Sequence, residues 1–448
     1  MIFEQRELLD ETIVKIRSGR IKRRTFLERA LTAGLSSAAA LSLLEACGGT
    51  SNSTAGNGNT TMIVWQSQHD PSDNFKQYAE NFNKQNNGIH VVYKNGPADT
   101  GQLLTIFTNM LRARSHAIDV LSMDIIWPPE FGANGWTVPI SESQLPQSER
   151  QKFLPGPLQG CTYNGKLWAV PFTTEPGLLY YRKDLLPTPP NSWDELAAMA
   201  KSVSPAKIKL GYVWQGAQYE GLVCNFVEVL YGYGGSVLDP NDPKKVTINS
   251  PQAVQALTEM VSWLDTISPK AVTTYKEDDG RLIWQNGNAA FMRNWPNAYA
   301  LGNDPKNSQI VGKFDVHAMP YGGSSSTGHS CIGGWQLGIN AFSPSPDACW
   351  KFIQYLSSEQ VQKDNVINTS HFSPLQSIPD DPEVQAKMPF VTKVKASLQN
   401  ARSRPASPAY PDITDALQLH IHQALIKASK PADALAALQS SLEAIVAK

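Results

Sequence analysis

Residues 61–124 alternate between apolar runs and segments with helical spacing, and this alternation constrains the fold more than any other sequence feature. Apolar, β-branched runs at 62–65, 89–93 and 117–124 predict strands. The apolar side chains between them recur at helical spacing: Phe75, Tyr78, Ala79 and Phe82, then Leu103, Leu104, Phe107 and Leu111. Such an order predicts an α/β fold whose ligands bind beyond the carboxyl ends of the strands, where Asp124 would lie.

The rest of the chain carries the same two patterns. Residues 177–181 and 335–340 predict strands, and Ser192 followed by Glu195 predicts the start of a helix. A helix beginning at Pro251 is predicted to bury one stripe of side chains: Val254, Leu257, Val261 and Leu264. A C-terminal helix is predicted to bury a second stripe: Leu435, Leu438, Leu442 and Ile445.

Composition excludes several classes of protein. Hydrophobic residues make up 41% of the 448 residues and the net charge is −1, which argues against a disordered chain or a nucleic-acid-binding protein. The sequence has neither a phosphate-binding G-x-x-x-x-G-K-[ST] loop nor an H-E-x-x-H motif, so we predict no cofactor and no metal. Four cysteines beyond residue 60 fit no zinc spacing, and they are interpreted as buried apolar residues, with disulfides as the alternative: Cys161, Cys224, Cys331 and Cys349.

The first 60 residues are predicted to direct and tether the protein rather than fold with it. A basic run that includes Arg23 and Arg24 precedes an apolar stretch, which is the order of an export signal. The arginine pair resembles a twin-arginine signal, and the stretch ending at Cys47 resembles a bacterial lipobox. We therefore expect residues 1–46 to be removed, Cys47 to be lipidated at the outer face of the cell membrane, and residues 47–60 to act as a flexible tether.

Tryptophans beside charged and amide side chains predict a carbohydrate site. Trp295 lies between Asn294 and Asn297, and Trp335 follows two glycines. Tryptophan rings stack on the C–H faces of sugars, while carboxylates and arginine bond the hydroxyl groups. Each signal also has a structural alternative: the rings could be core residues, Asp124 and Glu277 could be helix caps, Arg404 a surface ion pair, and the glycines a strand-edge turn.

Three longer segments carry a family resemblance: residues 177–186, 213–224 and 287–296. With Gly333–Trp335 and Arg404–Pro405 in matching order, the chain resembles the bacterial extracellular solute-binding lipoproteins (family 1) of ABC sugar importers, especially the trehalose/maltose-binding group. The resemblance implies a two-lobe, periplasmic-binding-protein-like α/β fold of type II, with mostly parallel sheets flanked by helices and a ligand cleft between the lobes. It also implies the extent of the N-terminal lobe (61–170 and 330–376) and of the C-terminal lobe (171–329 and 377–448).

The resemblance further implies which residues bind the ligand: Asp73 (or Asp70 if the alignment slips), Asp124, Glu175, Glu277, Trp295, Gly334, Trp335 and Arg404. The group has a hydroxyl residue, an arginine and a tyrosine where this chain has Ala98, Leu103 and Thr173, so the identity of the sugar stays open. The implied protein is a monomeric receptor, not an enzyme, that captures a disaccharide or related sugar by lobe closure and delivers it to an ABC permease. Composition alone equally suits a lipid-anchored glycoside hydrolase, whose two carboxyl groups would have to lie at a fixed distance across the scissile bond. A lipid-anchored adhesin or scaffold is a third alternative, which predicts neither sugar turnover nor tight sugar binding.

Overall fold

The computed structural model describes residues 60–71, 73–85, 88–203, 208–405 and 407–447. The predicted export signal with its arginine pair, Cys47 and the tether up to residue 59 lie outside the described residues. Within the described ranges, no helix combines the length and the apolar character needed to cross a bilayer.

The strands are named in chain order: β1 (Thr61–Gln66), β2 (Ile89–Lys94), β3 (Val120–Asp124), β4 (Thr162–Tyr163), β5 (Lys166–Leu167), β6 (Val170–Pro171), β7 (Glu175–Pro176), β8 (Leu178–Tyr181), β9 (Leu210–Val213), β10 (Leu238–Asp239), β11 (Asp242–Val246), β12 (Ala289–Asn294), β13 (Asp315–His317), β14 (Ile332–Gly333) and β15 (Trp335–Ile339).

The α-helices are named in the same way: α1 (Asn74–Gln85), α2 (Thr100–Arg112), α3 (Pro128–Ala133), α4 (Gln147–Arg150), α5 (Pro155–Gly160), α6 (Trp193–Ser202), α7 (Glu220–Gly232), α8 (Pro251–Trp263), α9 (Glu277–Gln285), α10 (Ala298–Gly302), α11 (Pro346–Leu356), α12 (Glu359–Thr369), α13 (Pro382–Lys387), α14 (Val391–Gln399), α15 (Tyr410–Leu425) and α16 (Pro431–Val446). Two 3₁₀ turns span Lys270–Thr274 and Ile378–Asp380.

The first main sheet has the order β2-β1-β3-β15-β6. Strands β1, β2 and β3 are parallel to one another, as predicted, whereas β15 runs antiparallel between β3 and β6. The third predicted strand begins at Val120 rather than at residue 117. Helices α1 and α2 bury their predicted faces except for Leu104, which is half-buried.

The second main sheet has the order β13-β8-β12-β9. Only the β12–β9 pair is parallel, and β8 runs antiparallel to both of its neighbours. The expectation of mostly parallel sheets therefore holds for β1–β3, while the second sheet is mixed. The difference arises because β8 and β15 enter their sheets from connecting segments rather than through a strand–helix–strand crossover.

Two of the chain crossings between the main sheets run through one short ladder. Strand β7 leads from β6 to β8, and β14 leads from β13 to β15. The two strands pair antiparallel, with Gly333 opposite Glu175. Next to this ladder, Trp335 lies directly opposite Asp124 in the first sheet. Predicted binding residues from distant parts of the sequence are thereby brought side by side.

The remaining helix predictions concern α6, α8 and α16. Ser192 caps α6 as expected, with its Oγ accepting from the Glu195 amide at 3.2 Å. On α8 the predicted stripe packs against the core, with Leu257 and Leu264 buried and Val254 and Val261 half-buried at its edge. The most buried side is rotated toward the small residues and the terminal tryptophan of the helix: Ala253, Ala256, Leu257, Met260 and Trp263. On α16 the three leucines are buried and Ile445 is half-buried. The four cysteines predicted to be buried are buried, and all are free thiols.

Candidate functional site

A cavity of about 260 Å³ lies at the ends of strands from both main sheets. Residues that follow β1 and β2, with Asp124 at the end of β3, line it together with residues that follow β12 or lie at the start of α7 and α9. The cavity brings together seven of the eight predicted binding residues: Asp124, Glu175, Glu277, Trp295, Gly334, Trp335 and Arg404. The expectation that these residues share one site therefore has a physical basis in the fold.

Asp73, the eighth residue, does not line this cavity among the described residues. Its exposed carboxylate accepts from Asn95 Nδ2 at 3.3 Å. Asp70, the alternative position, is buried and accepts from the Phe75 amide at 2.8 Å, so it anchors the start of α1. It lines a neighbouring cavity of about 190 Å³ instead.

The two predicted stacking tryptophans are partly exposed and are held on one side by the protein. Trp335 contacts the buried Trp127 edge to face, with 5.9 Å between ring centroids and 85° between planes. The guanidinium carbon of Arg293 lies 3.9 Å from the centroid of the Trp295 ring, and Trp295 Nε1 donates to Glu277 at 3.3 Å. Each ring is thus fixed from behind while the rest of it lines the cavity, an arrangement suited to stacking on a ligand.

Gly334 is required by the packing of the backbone. Its φ is +129°, and a Cβ at this position would lie 2.3 Å from the Thr173 carbonyl oxygen. The Gly334 carbonyl accepts from the Ile125 amide at 3.0 Å, so this oxygen is already used within the protein. The glycine lets the backbone between β14 and β15 lie close to that of Thr173 and Thr174, next to Trp335.

Arg404 joins two carboxylates that come from different parts of the fold. Its Nη2 donates to Asp124 Oδ1 and its Nη1 to Glu220 Oε1, both at 2.7 Å. Glu220, the first residue of α7, also accepts from Tyr410 Oη at 2.6 Å and from Thr414 Oγ1. Burial raises the pKa of Glu220, and the charge of Arg404 opposes that rise. The arginine was predicted to fork onto sugar oxygens, and in the structure its two terminal nitrogens hold these carboxylates in place.

Glu175 forms a buried pair with His371. The Nδ1 of His371 makes a hydrogen bond with Glu175 Oε1. Burial by itself lowers the pKa of His371, but the charge and hydrogen bond of Glu175 raise it above its ordinary value on balance. The imidazole also stacks on Phe75, with 5.4 Å between centroids. The pair therefore fixes one carboxylate at the base of the crossing ladder.

Glu277 lines the cavity with a different set of partners. Its two oxygens accept from Tyr219 Oη at 2.8 Å and from Trp295 Nε1 at 3.3 Å. Burial raises its pKa, and these hydrogen bonds oppose the rise. Among the described ion pairs none includes Glu277, so its remaining lone pairs are available to a hydroxyl donor.

Two ion pairs connect the opposite sides of the cavity. Lys276 Nζ contacts the Asp99 carboxylate, and His69 Nε2 lies 3.4 Å from Asp278 Oδ2. The hydrogen bond to Asp278 raises the pKa of His69, although burial opposes the rise. In turn the pKa of Asp278 falls to about 2, chiefly through His69 and also through Arg281. Residues after β1 and β2 are thereby tied to the start of α9.

Several lining residues were missed from the sequence. Gln68 and His69 follow β1, so the strand-end rule that indicated Asp124 could also have indicated them. Nothing in the sequence pattern points to Glu220 or His371, whose partners are distant along the chain. Of the three departures from the group pattern, Ala98 lines the cavity, whereas Leu103 and Thr173 are fully buried outside it: Thr173 Oγ1 accepts from the Trp335 amide.

Comparison with protein families gives a match over well more than half of the chain. The model of the bacterial extracellular solute-binding protein family matches residues 66–363. A curated relative from Deinococcus radiodurans, described as a probable ABC transporter-binding protein, is 37% identical over 363 residues, covering 78% of this chain and 85% of the relative.

Solved structures give the same picture. The maltose-bound MalE3 of T. maritima is 37% identical, superposes with a TM-score of 0.81, and covers 86% of this chain and 99% of its own. A solute-binding protein from Agrobacterium radiobacter K84, solved with ribitol, is 28% identical with a TM-score of 0.77, covering 86% of this chain and 98% of its own. These similarities confirm the predicted two-lobe α/β fold of the type II periplasmic binding proteins.

Proposed function

Because the chain belongs to the bacterial extracellular solute-binding protein family, we propose that it is the extracytoplasmic receptor of an ABC importer for a neutral sugar or polyol. The observation that carries the proposal is the cavity itself. It presents two partly exposed tryptophan rings, Trp295 and Trp335, together with carboxylates supplied from both sides. Rings that stack and acceptors that bind hydroxyl donors are the two kinds of contact that a sugar needs.

The charges around the cavity favour a neutral ligand. Within the described part of the chain, each basic side chain of the lining already faces a carboxylate: His69, Lys276, His371 and Arg404. An anionic ligand would therefore meet no uncommitted cation, and Glu277 and Asp279 would repel it. Hydroxyl groups, in contrast, can donate to these carboxylates without a charge penalty.

The finer proposal is a disaccharide or related sugar of the trehalose/maltose type. It is supported by the maltose-bound MalE3 of T. maritima, whose sequence is 37% identical. The ribitol complex of the Agrobacterium radiobacter protein supports a polyol as the alternative. Ala98 in the lining offers no hydroxyl, so the contacts on that side differ from the group pattern.

The proposed mechanism is reversible capture without bond chemistry. The lobes turn about the β7–β14 crossing, the ligand is enclosed between Trp295 and Trp335, and the Lys276–Asp99 and His69–Asp278 pairs form as the mouth closes. Closure is a population shift, so the ligand must bind the closed form more tightly than the open form. The closed, monomeric receptor, tethered through lipidated Cys47, then presents the ligand to the membrane permease.

A binding screen with a turnover control tests the proposal. Purified residues 60–448 are incubated with maltose, trehalose, ribitol and D-glucuronate, and thermal unfolding and isothermal titration calorimetry are measured. We expect one-to-one binding of at least one neutral compound, with the sugar recovered unchanged by chromatography. Failure of every neutral compound to bind would overturn the proposal of a sugar receptor. The appearance of free glucose would favour a glycoside hydrolase.

A further inference from the structure

Gln68 combines burial, an unpaired amide and a place in the cavity wall. The residue lies two positions after β1, lines the cavity and is 1% exposed. Neither its Nε2 nor its Oε1 has a hydrogen-bond partner within the described part of the protein. Leaving both ends of a buried amide unpaired is costly, so the amide is expected to have a partner when the protein functions.

The main chain around Gln68 holds the side chain at this place. Its carbonyl accepts from Ser67 Oγ at 2.6 Å. Gly96 packs against the same segment so closely that a Cβ there would lie 2.4 Å from the Ser67 carbonyl oxygen. The backbone of residues 67 and 68 is therefore closely packed, which fixes the point from which the Gln68 side chain extends.

Among the residues that the structure describes, two other cavity-lining side chains carry an unpaired buried atom. These atoms are Thr100 Oγ1 and Arg404 Nε. Each of the two residues leaves a single group unpaired, whereas Gln68 leaves both a donor and an acceptor. Unpaired polar atoms gathered around one cavity point to an occupant that both donates and accepts hydrogen bonds.

We propose that Gln68 is a specificity-determining residue that binds two adjacent hydroxyl groups of the ligand. Its Oε1 accepts a hydrogen bond from one hydroxyl and its Nε2 donates a hydrogen bond to the neighbouring one, so a vicinal diol satisfies both ends at once. This inference rests on the proposed function and names the ligand chemistry of that site. A carboxylate or phosphate would offer acceptors alone and leave Oε1 unpaired, and an alkylammonium group would leave Nε2 unpaired.

The test compares ligand affinity with ligand-free stability in Gln68→Met, which keeps the side-chain length and removes the hydrogen bonds. Maltose is the probe, or ribitol if the wild-type protein does not bind maltose. We expect the dissociation constant to rise about tenfold or more, because the ligand loses two hydrogen bonds to an uncharged amide. The urea midpoint of the ligand-free variant should stay the same or rise, since an unpaired buried amide has been replaced by an apolar group.

Gln362→Met is the matched control. Gln362 is also fully buried, but its Nε2 donates to the Leu356 carbonyl at 3.0 Å and its Oε1 accepts from Ser373 Oγ at 2.8 Å, outside the cavity. We expect this variant to lose stability and keep its affinity, which is the opposite pattern. A purely structural role of Gln68 would give the control's pattern instead.

Two outcomes overturn the proposal. The first is a ligand affinity of Gln68→Met within twofold of the wild-type affinity. The second is a Gln68→Met variant that loses both stability and affinity, together with a Gln68→Glu variant that recovers neither, although glutamate keeps the shape and the acceptor of the side chain. If the wild-type protein binds neither maltose nor ribitol, the proposed function fails together with this inference. That failure is recognised separately, because it is observed in the wild-type protein before any variant is compared.

Discussion

Replacing Arg404 with methionine should destabilise the folded protein strongly, because two buried carboxylates would lose their common cation. The Arg404 side chain is 1% exposed, while those of Asp124 and Glu220 are 11% and 10% exposed. Both contacts are 2.7 Å long. Methionine fills much of the same volume, so the change removes charge and hydrogen bonds more than packing.

The expected cost is at the lower end of the range for breaking a buried ion pair. Removal of one partner typically costs about 3–5 kcal/mol, because the remaining charge stays buried and uncompensated. Here Glu220 would keep hydrogen bonds from Tyr410 and Thr414, and Asp124 would keep the Ile126 amide at 3.3 Å. We therefore expect the free energy of unfolding to fall by about 3 kcal/mol.

The pKa of Glu220 determines how the stability loss of Arg404→Met varies with pH. Burial already raises the pKa of Glu220, and the loss of Arg404 would raise it further. The folded variant would then take up a proton at a pH where the unfolded chain, with Glu at about 4.3, does not. Stability from such a raised pKa is present at low pH and lost as pH rises, so the deficit should shrink between pH 7.5 and pH 5.

Urea unfolding followed by tryptophan fluorescence at both pH values measures the effect. Arg404→Lys keeps a positive charge and should lose less stability than Arg404→Met. Lys395, whose pair with Asp380 is exposed, gives a surface control: Lys395→Met should change stability by less than about 1 kcal/mol. A loss below 1 kcal/mol for Arg404→Met, or a deficit that grows at pH 5, would refute the reasoning.

Three further predictions concern the ligand. Trp335→Ala should weaken maltose binding by about 1–3 kcal/mol through lost stacking and burial. Trp350→Ala, outside the cavity, should leave the calorimetric affinity unchanged, and equal affinities in both variants would remove Trp335 from the site. D-Glucuronate should bind at least about tenfold more weakly than D-glucose, since the cations of the lining are paired, and comparable titration isotherms would contradict this. Because the pKa of His69 is raised above its ordinary value of about 6.5, the imidazole stays charged and paired with Asp278 at pH 6, and the pair is lost as pH rises through the raised pKa. Stopped-flow sugar release should therefore accelerate from pH 6 to pH 8, and His69→Gln should reduce that change.

The sequence predicted those features that depend on local periodicity. The strands around Asp124 and the helices α1 and α2 follow from the spacing of apolar residues, and Trp335 follows from its place beside two glycines. The buried face of α8 followed only in part, because Trp263 packs on Trp193 with 4.9 Å between ring centroids, a contact between residues that local spacing cannot relate. Helix propensity and spacing describe a single element, whereas the face that it buries depends on its neighbours.

Contacts between distant residues account for what was missed in the site. Arg404 and Asp124 are 280 positions apart, and Glu175 and His371 are 196 apart. Spacing along the chain carries no information about such pairs, so the carboxylate partners of Arg404 were not predicted, whereas its place in the lining of the cavity was. Asp73 was carried over by alignment alone, and in the structure its carboxylate contacts Asn95 instead of the cavity.

A crystal structure of the protein grown with maltose, or with ribitol if maltose does not bind, tests the central claim most directly. We predict one sugar or polyol molecule between Trp295 and Trp335, with two adjacent hydroxyl groups on the Gln68 amide and others on Glu277. Electron density for an intact ligand elsewhere on the protein, with this cavity filled by solvent alone, would contradict the account.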